Sequence, residues 1–272
     1  MIDLSIIIVN WNTRKLLIDC VKSIYQYPPN VNFEIIVVDN GSNDDSIKHL
    51  VKLKLKNNYN IRIIKNSENL GFSKANNQAI KKANGKSVLL LNSDTKVTTN
   101  ALTKLLEFVS KEKDIGVVGA RLLNADGSIQ PSCFNFPTLK NAFLEYWFGK
   151  VGIYSKYYPR INKPIAVDVV VGACFLITPK ALEKVGLLNE DYFFFYEDLD
   201  YCRRVWKKRL KVYYLPESIV YHFHGASVDK PAMKNDTWKR LIPGSKKYNG
   251  VFKHYVLFLI ILSSQKFLGK RS

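Results

Sequence analysis

The sequence predicts an α/β protein built on a Rossmann-like, doubly wound, mostly parallel sheet with a smaller subdomain beside it. Three observations lead there. Strand-like and helix-like segments alternate four times at short intervals before Asp94. The strand-like segments are unbroken aliphatic runs, as in strands buried on both faces, rather than alternating ones. Asn or Asp follows every run but the third, which gathers polar groups along one edge of the sheet.

Leu4 to Val9 reads as the first strand and ends in Asn10-Trp11-Asn12. Thr13 is placed to cap a helix whose apolar residues Leu16, Leu17, Cys20, Val21 and Ile24 fall on one face. Phe33 to Val38 is the second strand, running into Asp39-Asn40-Gly41-Ser42; a helix with Ile47, Leu50, Val51 and Leu53 follows. Ile61 to Ile64 is a shorter third strand, after which Asn69 and Gly71 lie in a loop and Phe72 to Ala83 is helical. Val88 to Leu91 is the fourth strand and stops abruptly at Asn92-Ser93-Asp94-Thr95. In open α/β sheets, ligands bind beyond the carboxyl ends of the strands. A carboxylate leaving such an end is placed to hold a hard cation against a phosphate; the competing reading is that 92–95 cap the next helix.

A helix over 101–109 and a strand over 115–118 complete the regular pattern. Residues 121–130 read as a hairpin turning at Asp126-Gly127. Residues 131–165 are rich in Pro and aromatics, suited either to core or lid packing or to stacking on a sugar or lipid. Val167 to Ile177 reads as one strand, Pro179 starts a helix, and a helix runs from about Asp198 to Lys208.

Composition narrows the classes. A hydrophobic fraction of 47% and a charged fraction of 24% describe a folded globular chain. The net charge of +18 attracts anions. The basic residues are scattered, however, and no nucleic-acid module is recognisable, so nucleic acid is not an expected partner. Cys20, Cys133, Cys174 and Cys202 lack zinc or redox spacing and read as buried thiols of a cytosolic protein. No stretch reaches the roughly 20 apolar residues of a bilayer span, and the N-terminus is too short in apolar residues for a signal sequence. Gly85-Lys86-Ser87 imitates a P-loop, but a strand rather than a helix follows it. No dinucleotide fingerprint, nucleophile elbow or His-Glu-x-x-His motif occurs.

What remains is a set of carboxylates and imidazoles at strand ends. Asp39 can accept from the imide N–H of a uracil or thymine ring, or serve an ordinary Asp-Asn-Gly turn. Glu197 and Asp198 follow the aromatic run Tyr192 to Tyr196, where apolar bulk raises a carboxyl pKa toward that of a general base. They equally suit a helix N-terminus. His222 and His224 end a further strand and, near an Asp, are candidate metal ligands or structural histidines.

Six blocks, in order, resemble the inverting family 2 glycosyltransferases of the GT-A fold, in particular their rhamnosyltransferase-like branch of cell-surface polysaccharide assembly. They are 5–12, Val37 to Ser42, Glu68 to Phe72 with Asn76 and Asn77, Leu89 to Thr95, Gly172 with Phe193 to Asp200, and 222–227. The resemblance implies that Asp39 reads the nucleotide base, with Val9, Asn10, Asn40 and Gly41 around it and Asn69 and Gly71 close by. It sets Asn92, Ser93 and Asp94 where the family's Asp-x-Asp motif lies. Asn stands at its first acid, leaving Asp94 as the firmer ligand to Mg²⁺ or Mn²⁺, with His222 as a further ligand and His224 the weaker candidate. Asp198 matches the catalytic base and Glu197 its neighbour in the acceptor site.

The expected enzyme moves a sugar, rhamnose first, from a dTDP- or UDP-linked donor to a glycan or lipid-linked acceptor. The alternative is a non-catalytic carbohydrate- or nucleic-acid-binding protein. The expected division is a donor half (1–120), an acceptor half (121–235) and a tail (236–272). The apolar stretch Tyr255 to Leu262, flanked by Lys and Arg, suits the headgroup layer of an anionic membrane. Packing on the domain or in a homodimer suits it too. The expected location is cytoplasmic, peripheral on the inner membrane face.

Overall fold

The computed structural model describes residues 1–223 and 237–269. One nine-stranded sheet organises them. Its strands are β1 (Leu4–Asn10), β2 (Phe33–Asn40), β3 (Ile61–Asn66), β4 (Ser87–Leu91), β5 (Thr95–Val97), β6 (Ile115–Leu123), β8 (Ile165–Ala166), β10 (Cys174–Ile177) and β11 (Lys211–His222), while β7 (Cys133–Phe134) and β9 (Val169–Val170) form a separate pair. The order is β3-β2-β1-β4-β10-β6-β11-β5, with β8 on the side of β11. β1, β2, β3 and β4 run parallel, as do β6 and β11, whereas β10, β5 and β8 are antiparallel to their neighbours.

The aliphatic runs do what their composition dictates. Ile6, Ile7 and Ile8 are fully buried, and successive residues feed opposite faces, Ile6 and Ile8 one core layer and Ile7 the other. Helices α1 (Arg14–Gln26), α2 (Ser46–Asn57) and α4 (Ala101–Lys111) cover one face. α3 (Phe72–Ile80), α6 (Pro179–Val185) and α7 (Glu197–Lys207) cover the other. The strand order reverses between β1 and β4, the topological switch point where ligands of such sheets sit.

Several expectations need correction. The single strand over 167–177 is two strands in different sheets, because the N–H of Gly172 goes to the Asp198 carboxylate and that of Val171 to Ser132 O. β3 reaches Asn66, so this strand also ends in a polar residue. The helix from Phe72 stops at Ile80 and gives way to a turn. Residues 92–95 do not cap a helix: Thr95 opens β5, and α4 begins after Asn100. The Thr13 hydroxyl makes no cap bond; it bonds Asn10 and Ser93 instead. The hairpin at 121–130 does form: Leu123 pairs antiparallel with Ile129, Asn124 N donates to Ser128 O and Gln130 N to Leu122 O. The aromatic region 131–165 contains α5 (Leu139–Phe148), capped by Thr138. The tail is two helices, α8 (Thr237–Asn249) and α9 (Val251–Leu268), longer than its apolar centre. All four cysteines are buried and free.

The amino-terminal edge of the sheet is tied by Glu34. Its carboxylate accepts from Ser5 Oγ (2.8 Å), Asn84 N (2.7 Å) and Arg62 Nη1 (3.1 Å). Burial opposes its ionisation, but these donors outweigh it and hold its pKa below the ordinary value. Glu34→Ala strands the buried Ser5 hydroxyl and the partly buried Asn84 N–H and is expected to cost about 2–4 kcal/mol, read as a lower denaturation midpoint. The depressed pKa makes the carboxylate's contribution present above the unfolded pKa and lost as pH falls through the folded one.

Candidate active site

The polar residues predicted at the strand ends form a connected network. Asn10 Nδ2 donates to Asp39 Oδ1 and to Ser42 Oγ, each at 3.0 Å. Thr13 Oγ1 donates to Asn10 Oδ1 (2.7 Å) and lies 2.9 Å from Ser93 Oγ. The ends of β1, β2 and β4 are thereby laced side by side, with Asp39 at one end of the chain of bonds and Asp94 beside its other end.

The next strand end is laced in the same way. Asn40 Nδ2 donates to Asn69 Oδ1 (2.8 Å), while Asn40 Oδ1 accepts from Asn66 Nδ2 (3.0 Å) and Leu70 N (3.1 Å). Asn69 Oδ1 also accepts from Gly71 N. Gly71 has φ +86°, and a Cβ there would lie 2.6 Å from Phe193 O, so the approach of the 193 loop requires glycine. Gly41, at φ +79°, turns the chain beyond β2, and Val9 lies in β1 one residue before the network. An open hollow of about 460 Å³ borders this region between the starts of α1 and α2, lined by Asn12, Thr13, Arg14, Asn43 and Asp44 among others. Asp39, Asp94 and Asp198 do not line it.

Asp94 and His222 meet because β5 pairs antiparallel with the end of β11, setting Thr95 opposite His222. Asp94 Oδ1 and His222 Nε2 are 3.3 Å apart, and both side chains are buried. Asn92 Nδ2 lies 3.5 Å from the same ring nitrogen. Gln130 Nε2 donates to His222 O and to Asn124 Oδ1, which leaves its Oε1 to accept from His222 Nδ1 at 2.7 Å. That tautomer turns the Nε2 lone pair toward the Asp94 carboxylate. A carboxylate and an imidazole held side by side are oxygen and nitrogen donors of the kind that hold a divalent metal ion, so the pair fits one. Among the described residues no cluster of three or more His, Cys, Asp and Glu exists. The donor set therefore suits an ion that completes its shell with phosphate oxygens and water, as Mg²⁺ and similar hard cations do. His224 lies outside the described residues.

The third part of the site is the start of α7. Asp198 Oδ2 accepts from Gly172 N (3.2 Å) and Oδ1 from Leu199 N (2.8 Å). The next residue, Ala173, accepts from Asn92 N, which joins this carboxylate to the end of β4. Burial raises the Asp198 pKa. It raises Glu197 to about 8, helped by the Asp198 charge, and Glu197 Oε2 is buried with no hydrogen-bond partner.

Sequence reasoning missed three features. Phe195 and Tyr196 both adopt positive φ, 70° and 71°, a strained conformation for bulky residues that delivers Glu197 and Asp198 into the site. Gln130, which orients His222, carried no local signal. Lys156, with Nζ 5.6 Å from the Phe134 ring centroid, interacts with Asp198: its pKa is lowered by its surroundings and raised by that carboxylate.

Comparison with known proteins bears on the family and the fold. The chain is 26% identical over 215 residues to a low-salt glycan biosynthesis hexosyltransferase, Agl10, of Haloferax volcanii, covering 77% of this chain and 64% of that protein. It is 24% identical over 219 residues to the N-acetylglucosaminyl-diphospho-decaprenol L-rhamnosyltransferase of Mycobacterium tuberculosis, covering 72% of this chain and 68% of the relative. Among solved structures, GalNAc-T7 with UDP, GalNAc and Mn²⁺ superposes with a TM-score of 0.65 at 18% identity, over 82% of this chain and 43% of its own. The mannosyltransferase PcManGT of Pyrobaculum calidifontis, in complex with GDP-Man and Mn²⁺, gives 0.61 at 16% identity, over 97% and 69%. These neighbours identify the fold as GT-A. The chain spans less than two thirds of the archaeal hexosyltransferase and less than half of GalNAc-T7. The model of the family described as "Glycosyl transferase family 2" matches residues 5–186, two thirds of the chain, and this protein belongs to that family.

Proposed function

We propose that this protein transfers a sugar from a nucleoside-diphosphate donor to a hydroxyl of a glycan or lipid-linked acceptor, with inversion at the anomeric carbon. Rhamnose from a dTDP donor is the first candidate, in keeping with the mycobacterial relative's name; UDP-linked sugars are the next. The work falls to the cytoplasmic side of the membrane, in cell-surface polysaccharide synthesis. Residues 1–120 are assigned to the donor half and 121–235 to the acceptor half, 224–235 lying outside the described residues.

The observation that carries the reading is the joining of three strand ends, through Asn10, Thr13 and Ser93 and the bond from Asn92 N to Ala173 O, to a half-buried carboxylate on α7. In the proposed mechanism Asp39, held by Asn10, accepts from the imide N–H of the base. Asn40, Gly41, Asn69 and Gly71 shape the wall beside it. Asp94 and His222 would hold Mg²⁺ or Mn²⁺, and a bound ion supplies Lewis-acid stabilisation of the leaving diphosphate. Asp198 takes the proton of the acceptor hydroxyl as its oxygen bonds to the anomeric carbon. The bond from that carbon to the phosphate oxygen breaks, and its electron pair leaves with the nucleoside diphosphate. Glu197, kept protonated at neutral pH by burial, is a hydrogen-bond donor toward the acceptor rather than a second anion.

The test is a screen of dTDP-, UDP- and GDP-sugars by thermal denaturation with and without Mn²⁺. One nucleotide sugar is expected to raise the midpoint in a metal-dependent way, a ligand at 100 times its Kd adding about 2.7 kcal/mol. No response to any nucleotide sugar would overturn the reading.

A further inference from the structure

A helix apolar on every side belongs in a core or against lipid. Helix α9 is such a helix, yet it lies on the surface. Its inner side meets the rest of the chain: His254 Nδ1 bonds Ser245 Oγ of α8, Lys253 Nζ donates to Pro137 O ahead of α5, and Trp147 of α5 lies 6.2 Å from Phe267. Its outer side carries Phe252, Tyr255, Leu259 and Leu262 at spacings i, i+3, i+7 and i+10, a single stripe along the helix. Phe252 is 81% exposed and Leu259 63%. The exposed Phe267 carries the apolar surface to Trp147 of the adjoining α5, whose end bears Phe148, 64% exposed, and, just beyond it, Val151, 83% exposed. Contiguous exposed apolar surface of this kind marks an interaction face. Among the described residues no helix is long and apolar enough to cross a membrane.

The charge around the patch selects what covers it. Residues 237–272 contain eight Lys and Arg and no Asp or Glu. A second copy presenting the same face would bring two wholly basic segments together. An anionic lipid surface meets the apolar stripe and the lysines at once. We infer that the α5–α9 face docks on the headgroup layer of an anionic bilayer, with the stripe inserted and Lys246, beside Tyr255, and the exposed Lys266 at the phosphates. α8 links this face to the active site. The Tyr248 ring packs at a tilt against Tyr196 of the strained loop, with centroids 5.6 Å apart, and a Cβ on Gly244 would lie 2.8 Å from the Tyr196 ring. Docking therefore holds the start of α7 at a set place over the surface, which suits an acceptor carried on a lipid.

The experiment is cosedimentation of the full chain with vesicles of phosphatidylcholine alone and of phosphatidylcholine with an equal part of phosphatidylglycerol. Binding to the mixed vesicles is expected, weakening with salt. In Phe252→Ser/Leu259→Ser it is expected to fall by roughly tenfold or more, with the melting midpoint and the donor-induced shift unchanged. Absence of binding to the anionic vesicles would overturn the docking. So would a lipid-free dimer, seen by sedimentation equilibrium, that the same double substitution disperses. Neither result touches donor recognition, which the nucleotide-sugar screen tests separately.

Discussion

Asp198→Asn is expected to lower turnover by about 10²–10⁴-fold, the usual contribution of a positioned general base, with donor affinity close to that of the unaltered protein. An amide is nearly isosteric with the carboxylate and retains an oxygen to accept from Gly172 or Leu199, but it cannot take the proton of an acceptor hydroxyl. In the proposed mechanism donor binding relies on residues elsewhere, at the ends of β1, β2 and β4. The measurement is turnover with the donor found by screening, beside a donor titration. Undiminished turnover would remove Asp198 from the mechanism. The pH profile is a further readout. Burial raises the Asp198 pKa, so the ionised base is lost, and turnover falls, as pH drops through a value above 3.8. Stability moves the other way. A carboxyl whose folded pKa is raised contributes stability that is whole below its unfolded pKa and is lost as pH rises through the folded one. For Glu197 that window runs from about 4.5 to about 8. Working conditions therefore trade folded stability for an active base.

Asp94→Ala is expected to reduce turnover by about 10²–10³-fold, because Lewis-acid stabilisation is worth several kcal/mol and each 1.36 kcal/mol is a factor of ten. Its residual activity should no longer respond to a chelator, whereas the unaltered protein should lose activity on chelation and regain it with Mn²⁺. A variant that keeps both its turnover and its chelator sensitivity would place the ion elsewhere.

Much of this architecture is legible along the chain. The runs Ile6-Ile7-Ile8, Ile35-Ile36-Val37-Val38 and Leu89-Leu90-Leu91 are strands because unbroken aliphatic residues can be buried on both sides of a sheet. Asp39, Asp94 and Asp198 stand out because each carboxylate ends or follows an apolar run. Local pattern reads less well where a group's partner is remote. Thr13 has the side chain of a helix cap, but its hydroxyl is taken by Asn10 and by Ser93, eighty residues away. Gln130 is an ordinary turn residue until it meets His222, ninety-two residues later. Phe195 and Tyr196 carry no mark of the left-handed backbone they adopt, since aromatic residues disfavour it.

By itself the amino-acid order determined most of the strands and helices, which faces they bury, and that Asp39 and Asp94 would stand at strand ends. Those properties depend on hydrophobic period and on the chemistry of near neighbours. Only the tertiary structure decided that β10 enters the sheet reversed between β4 and β6, that β5 pairs with β11 to bring Asp94 to His222, and that Gly172 receives the Asp198 carboxylate. Such pairings are choices among many registers of similar local merit, and they are settled by the packing of the whole sheet.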